Sequence, residues 1–140
     1  MKSLYEDLIS ELSACEFSYP LHVYGAYTVE KPTYPALMID ETINREQVTV
    51  GGKERVTLLA YRFDLLCGDE WDEQRQQAVS RRQVAHYLAA ELDAVIRERW
   101  GFTRTGDPVY MVSGEPAIGR YILTYQGYVS EDNYIYRQGV

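Results

Sequence analysis

The longest regular hydrophobic pattern in the chain lies between Ala85 and Trp100. Apolar residues recur there every three or four positions, so they share one stripe of a helix. They are Ala85, Leu88, Ala89, Leu92, Val95, Ile96 and Trp100. We predict one long helix within residues 72–100, beginning at Asp72 or at Ser80, since Ser80 opens a sequence with capping-box spacing. Gly101 follows it, as glycine often follows a helix C terminus.

A second, shorter helical pattern lies at the N terminus, within residues 1–15. Leu4, Leu8 and Leu12 share one helical stripe, and Ser3 opens a capping box. A helix this short is marginal in isolation, so it must dock on other structure. We expect it on the same sheet face as the long helix.

Most of the remaining chain has the character of strands and turns. Strands are predicted near residues 21–27 and over residues 36–43, and residues 44–67 form a long hairpin that turns at Gly51-Gly52. Residues 108–129 form a second hairpin, after which residues 134–136 add a short strand or lie loose. The predicted class is α+β, with a mixed, mainly antiparallel sheet and both helices on one face.

The second arm of the long hairpin alternates between apolar and polar positions. Its apolar positions are Leu59, Tyr61, Phe63, Leu65 and Cys67, and Ala60, Arg62 and Asp64 lie between them. This period of two predicts one buried and one solvated face. Charged residues crowd the tip instead, so we expect the hairpin to project beyond the core, as a surface ribbon or as an arm that reaches a neighbouring subunit.

Composition limits the possible classes of protein. A chain of 140 residues, 46% of them apolar, fits a single domain over residues 1–140. It has no apolar run long enough to cross a bilayer, and its acidic start is unlike a signal peptide, so we expect no membrane and no secretion. The net charge of -7 disfavours a protein that grips nucleic acid, yet suits one that lines a passage through which DNA slides.

Residues that could carry chemistry are few and scattered. His22 and His86 stand apart from each other and from Cys15 and Cys67, so no zinc-ligand spacing is present. Acidic pairs occur within residues 69–73 and at Glu131-Asp132, where solvation and helix capping explain them. We therefore predict no catalytic residue, no metal site and no cofactor. The thirteen tyrosines suit either half-buried strands or subunit contacts.

The order of these elements, ending in the strand sequence of residues 120–129, resembles the tail terminator and tail-completion (head–tail joining) proteins of long-tailed bacteriophages. The resemblance implies a non-enzymatic structural subunit that self-associates into a ring, usually a hexamer. Such a ring caps the tail tube at its head-proximal end, contacts the tube protein and the neck or head-completion protein, and lets DNA pass without specific binding. It also implies assembly in the host cytoplasm and a final location in the virion.

Three hypotheses of function follow. In the first, the hairpin tip and the outer side of the long helix form the contacts around the ring and to the tube. The residues assigned to these contacts are Arg45, Gly51, Gly52, Lys53, Arg55, Arg81, Arg82, Glu91 and Arg97. In the second, the chain is a small ligand-binding or accessory domain with a pocket lined by Tyr61, Phe63 and Tyr125. Another virion component of the neck or baseplate is a third possibility.

Overall fold

A computed structural model describes residues 4–25, 32–48, 55–114, 118–130 and 135–136. Two helices lie in these ranges, α1 (Leu4–Ala14) and α2 (Arg81–Ala94), and α2 continues as a π-helical turn over Val95–Arg99. The strands are β1 (His22–Gly25), β2 (Ala36–Val48), β3 (Arg55–Cys67), β4 (Glu70–Asp72), β5 (Gln77–Val79), β6 (Thr103–Arg104), β7 (Val109–Ser113), β8 (Ile118–Ser130) and β9 (Ile135–Tyr136). The α+β class predicted from the sequence is confirmed.

The main sheet has seven strands within the described ranges. Its order is β1-β2-β3-β8, and β7, β6 and β9 lie one after another along the far edge of β8. Only β1 and β2 pair in parallel, and the other neighbours are antiparallel. β4 and β5 form a separate two-stranded hairpin. The sheet is therefore mixed and mainly antiparallel, as expected.

The long helix begins at the later of its two predicted starts. The Ser80 side chain accepts a hydrogen bond from the Gln83 amide at 3.3 Å, which caps α2. A start at Asp72 is wrong, because the Asp72 carboxylate accepts from the amides of Gln74 (3.0 Å) and Arg75 (3.2 Å) and closes a turn instead. β4 and β5 flank this turn. Acidic residues are common both at helix N termini and in turns, so the composition of this segment did not distinguish a helix start from a turn.

The long hairpin also differs from its prediction. The strand expected over residues 36–43 and the first arm of the hairpin form one continuous strand, β2, with a bulge between Glu41 and Ile43. Thr42 is the extra residue, and its hydroxyl donates to the Ala60 carbonyl at 3.2 Å. β2 is exposed from Thr42 to Glu46, whereas β8 pairs along β3 as far as Val56. The Gly51-Gly52 turn lies outside the described residues.

Both helices pack on one face of the sheet, where they enclose the core. Leu4, Leu8 and Leu12 of α1 are buried there. The buried residues of α2 are Val84, Ala85, Leu88, Ala89 and Leu92, and Ile96 follows in the π-helical turn. Opposite them lie Leu59, Tyr61, Phe63, Leu65 and Cys67, the apolar positions that the alternation in β3 predicted. The predicted docking of both helices on one face is thus confirmed.

The other face of β3 is more buried than the alternation predicted. Ala60 and Asp64 were expected in solvent, yet they are only 8% and 4% exposed. Asp64 is compensated by the Arg120 guanidinium, whose Nε and Nη2 donate to its two oxygens at 3.2 and 3.0 Å, and Arg62 lies 3.4 Å away. A paired carboxylate can be buried in this way. Sequence period alone reads such a residue as a surface charge.

Candidate functional site

The described residues hold no group of three or more His, Cys, Asp or Glu side chains that could bind a metal ion. Cys67 is fully buried, and burial, with a smaller contribution from Glu70, raises the pKa of its thiol to about 12. A thiol with so high a pKa stays protonated at neutral pH and is a poor nucleophile. Cys67 is therefore a core residue, as its sequence context suggested.

The tyrosine-lined pocket expected between helix and sheet is filled by its own side chains. Tyr61, Phe63 and Tyr125 are all 0% exposed. The Phe63 and Tyr125 rings meet edge to face at 5.5 Å, and the Tyr61 and Phe63 centroids are 6.4 Å apart. These three rings pack on one another as part of the core, so the prediction that they line a pocket is wrong. The alternation correctly placed them in the interior. It could not distinguish residues that line a pocket from residues that fill the core.

Two buried hydroxyls link this core to carboxylates at its border. Tyr61 donates to Glu41 at 3.1 Å, and Tyr125 donates to Asp93. Burial is the main cause that raises the pKa of both phenols, and the neighbouring carboxylates raise it further. Patterns in the sequence do not indicate these pairs, because their members are 20 and 32 positions apart in the chain. These hydrogen bonds hold the two rings in place at the border of the core.

The predicted contact residues of the long helix have partners within the chain. The Arg81 amide donates to Asp69 at 2.7 Å, and the Arg97 guanidinium lies 3.6 Å from Asp93. The Arg82 guanidinium lies over the Tyr110 ring, 5.4 Å from its centroid. These three arginines lie at opposite ends of α2 and its continuation, so they form no single cluster.

Glu91 has a structural role that the sequence did not suggest. Its carboxylate accepts from the amide of Ser18 at 2.9 Å and from the Ser18 hydroxyl. This contact ties the segment between α1 and β1 to the middle of α2. Glu91 was assigned to a subunit contact, and its side chain is at least partly engaged inside the subunit.

The predicted contact residues of the hairpin are only partly described. Arg45 is exposed on β2 opposite Leu58, and Arg55 begins β3 opposite Val48. The structure thus places both arginines on the paired arms. Gly51, Gly52 and Lys53 lie outside the described residues.

Several open depressions mark the described surface, and two of them are candidate contact sites. One, of about 530 Å³, lies between the end of α1 and the end of α2, beside the 3.2 Å ion pair of Glu11 and Arg99. The other, of about 670 Å³, lies beside the β4–β5 hairpin. Trp71 and Tyr87 line it and are 54% and 53% exposed. Exposed aromatic rings of this kind are common in contact surfaces.

Among the described strands, β7 has the most exposed large apolar residues. The sequence predicted this segment only as part of a hairpin. Val109, Met111 and Val112 are 48%, 39% and 50% exposed. β7 pairs with β8 on one side, and no other described strand pairs with it. The sequence does contain a sign of this exposure in the run Val109–Val112. A strand with one solvent-exposed face alternates apolar and polar residues, and this run lacks the polar ones.

No helix in the described ranges is long and apolar enough to span a membrane. Comparison with known proteins finds no matching family model and no matching curated protein.

Proposed function

We propose that this protein is a non-enzymatic structural subunit of a bacteriophage virion. Copies of it assemble into a ring that terminates the tail tube and joins the tube to the head or neck. The ring contacts the tube protein and the neck or head-completion protein, and DNA passes through it without specific binding.

The observation that carries this proposal is the exposed apolar strand β7 at an edge of the main sheet. Three large apolar side chains there are 39–50% exposed, and they are three of the seven large apolar residues that are exposed in the described ranges. Proteins ordinarily blunt or cover an edge strand of this kind, since its free backbone groups can pair with another chain. Self-association is the simplest cover for it.

Two further observations agree with a ring around DNA. The order of elements, from a short helix through a meander to a long helix and a final hairpin, resembles that of tail terminator proteins. The net charge of -7 disfavours tight contacts with phosphates. An acidic subunit therefore suits a passage through which DNA moves.

The first test is the mass of the assembly. Native mass spectrometry and light scattering at micromolar concentration should give a closed ring, with a hexamer expected. If rings close only on the tail, the protein should instead cosediment with purified tail tubes built from the tube protein of the same genome. A protein that stays monomeric and does not bind tubes would overturn the proposal.

The alternative of a ligand-binding or accessory domain now points to another place on the molecule. The 670 Å³ depression beside Trp71 and Tyr87 replaces the filled core as its site. A ligand that binds only the folded state raises the melting temperature. A thermal shift with a metabolite panel that is lost in Trp71→Ala would favour this alternative. A neck or baseplate component is distinguished by the genes that surround its own.

A further inference from the structure

The main sheet ends in β1 at one edge and in β7, β6 and β9 along the other, where β6 and β9 have only two residues each. β1 pairs only with β2, and β7 pairs only with β8, among the strands that the structure describes. The two strands have similar lengths, four and five residues. They are therefore candidates for pairing with each other across a boundary between copies.

The two edges lie at the same level of the sheet. Val23 pairs with Leu37, Leu37 with Leu65, Leu65 with Tyr121, and Tyr121 with Tyr110. Val23 and Tyr110 are thus the two ends of one row. Copies in a closed ring are related by rotation about the ring axis with no shift along it. Such a rotation brings Val23 of one copy level with Tyr110 of the next.

The neighbouring rows keep the same relationship. His22 lies in one row with Met111, through Ala36, Leu66 and Arg120. Tyr24 lies in one row with Val109, through Met38, Asp64 and Ile122. Along this sheet β1 and β7 run in opposite directions, so strands joined by such a rotation are antiparallel. Antiparallel pairs are the commoner kind in proteins.

The faces also match in this register. Side chains of paired residues lie on the same face of a sheet. Tyr110 and Val23 both pack against the core on the helix-bearing face. A shift by one residue would put the core face of one copy beside the outer face of the next. The register of Val23 opposite Tyr110 avoids this mismatch.

Charges beside the two edges are complementary. Arg82 lies over Tyr110 at the β7 edge. At the other edge α1, which packs on β1, carries Glu6 and Asp7 on its exposed side. Both helices lie on the same face of the sheet, so joining the edges puts the basic start of α2 in one copy and the acidic first turn of α1 in the next copy on the same side of the continued sheet. Such complementarity favours this partner and orientation.

We propose that β7 of one copy pairs antiparallel with β1 of the next copy, with Tyr110 opposite Val23, so that the sheet continues around the ring. The inference rests on the proposed ring. The contact uses two different surfaces, so repeating it gives a ring when the rotation closes, and not a two-fold dimer. It also covers Val109, Met111 and Val112.

Paired cysteines test the register directly. In a Cys15→Ser background, His22→Cys with Met111→Cys places two thiols directly opposite each other, at a Cα separation of about 5 Å that a disulfide can bridge. The matched control combines His22→Cys with Val109→Cys, which are two residues, or roughly 7 Å, out of register. Mild oxidation of the assembled protein should give a covalent ladder up to the full ring in the first pair and little in the control.

The outcomes separate this inference from the proposed function. Rings of the parent protein without a ladder in the first pair would overturn the pairing and leave the ring. A covalent dimer from Met111→Cys alone would show that β7 pairs with itself, and would also overturn it. A parent protein that neither forms rings nor binds tail tubes would remove the proposed function itself.

A charged residue on the edge gives an independent test. Val112→Lys should weaken assembly at least about tenfold, because Lys on an edge strand opposes pairing. The matched control is Ala78→Lys, since Ala78 is also an exposed apolar residue on a strand, β5. Both variants should keep the melting temperature of their monomers. If both variants lose assembly equally, or if neither loses it, the role of β7 is contradicted.

Discussion

Gly127 of β8 lies directly against the ring of Phe102. A Cβ atom at Gly127 would be 2.0 Å from Cδ1 of Phe102 and 2.5 Å from Cε1. Phe102 is 2% exposed, stacks on Trp100 at 6.4 Å and contacts Tyr61 at 5.7 Å. The ring therefore has little room to move. Glycine at this strand position is required by close approach rather than by backbone conformation.

Gly127→Ala is expected to destabilise the fold by about 1–3 kcal/mol, as extra carbon atoms do in a packed core. Urea unfolding measures this change. The control is Gly68→Ala, because nothing lies within 4 Å of a Cβ at Gly68. It should leave the free energy of unfolding within about 0.5 kcal/mol of the parent. Equal effects at the two positions would contradict the close approach.

The buried Tyr125 hydroxyl should contribute measurably to stability. Tyr125 donates to Asp93, which also lies 3.6 Å from Arg97 and 3.9 Å from Arg104. Tyr125→Phe removes a hydrogen bond to a charged group and should cost about 1.5–3 kcal/mol. Tyr87→Phe is the control, since Tyr87 is 53% exposed. If both variants unfold at the same urea concentration, the bond adds nothing.

The Asp64 carboxylate should be needed for the sheet to fold stably. Asp64 is 4% exposed and is paired with Arg120, and Arg62 lies nearby. Asp64→Asn removes the charge that accepts these hydrogen bonds and should cost about 1.5–3 kcal/mol, since the Arg120 and Arg62 side chains are 26% and 36% exposed and water offsets part of the loss. Asp69→Asn is the matched change at an exposed pair, where Asp69 faces Arg81 at 3.9 Å and is 62% exposed. Its cost should stay below about 1 kcal/mol, and chemical denaturation distinguishes the two.

Local signals in the sequence predicted the elements better than their partners. The helical stripe, the Ser80 cap and the buried face of β3 each depend on residues close together in the chain, and each is confirmed. The burial of Asp64 depends on its pairing with Arg120, which is 56 positions away in the chain. A pattern of neighbouring residues cannot show such a pairing. The same holds for the alignment of β1 with β7, which exists only after four strand pairings are formed. Sequence patterns therefore point to contacts at the charged hairpin tip and on the long helix, and they contain no sign that β7 lies at a sheet edge and is a further candidate.

Stability should fall as the solution becomes alkaline. The pKa of the Cys67 thiol is about 12 in the folded protein, against 9.0 for an ordinary thiol, and the pKa of the Tyr61 and Tyr125 phenols is also raised. Below pH 9 the thiol is protonated in both states, and its contribution is fully present. Between pH 9 and about 12 the unfolded chain loses this proton and the folded chain keeps it, so the free energy of unfolding decreases as pH rises.

The expected slope in that window is about 1.4 kcal/mol per pH unit for each such group once its unfolded form is ionised. Urea unfolding between pH 7 and pH 11 measures it, and Cys67→Ala should reduce the slope even though the cavity lowers stability at every pH. Thiol labelling gives a second readout. Half-buried Cys15 should react in the folded protein, and buried Cys67 only on unfolding. Rapid labelling of Cys67 under native conditions would show that its thiol is accessible and would contradict the predicted alkaline loss.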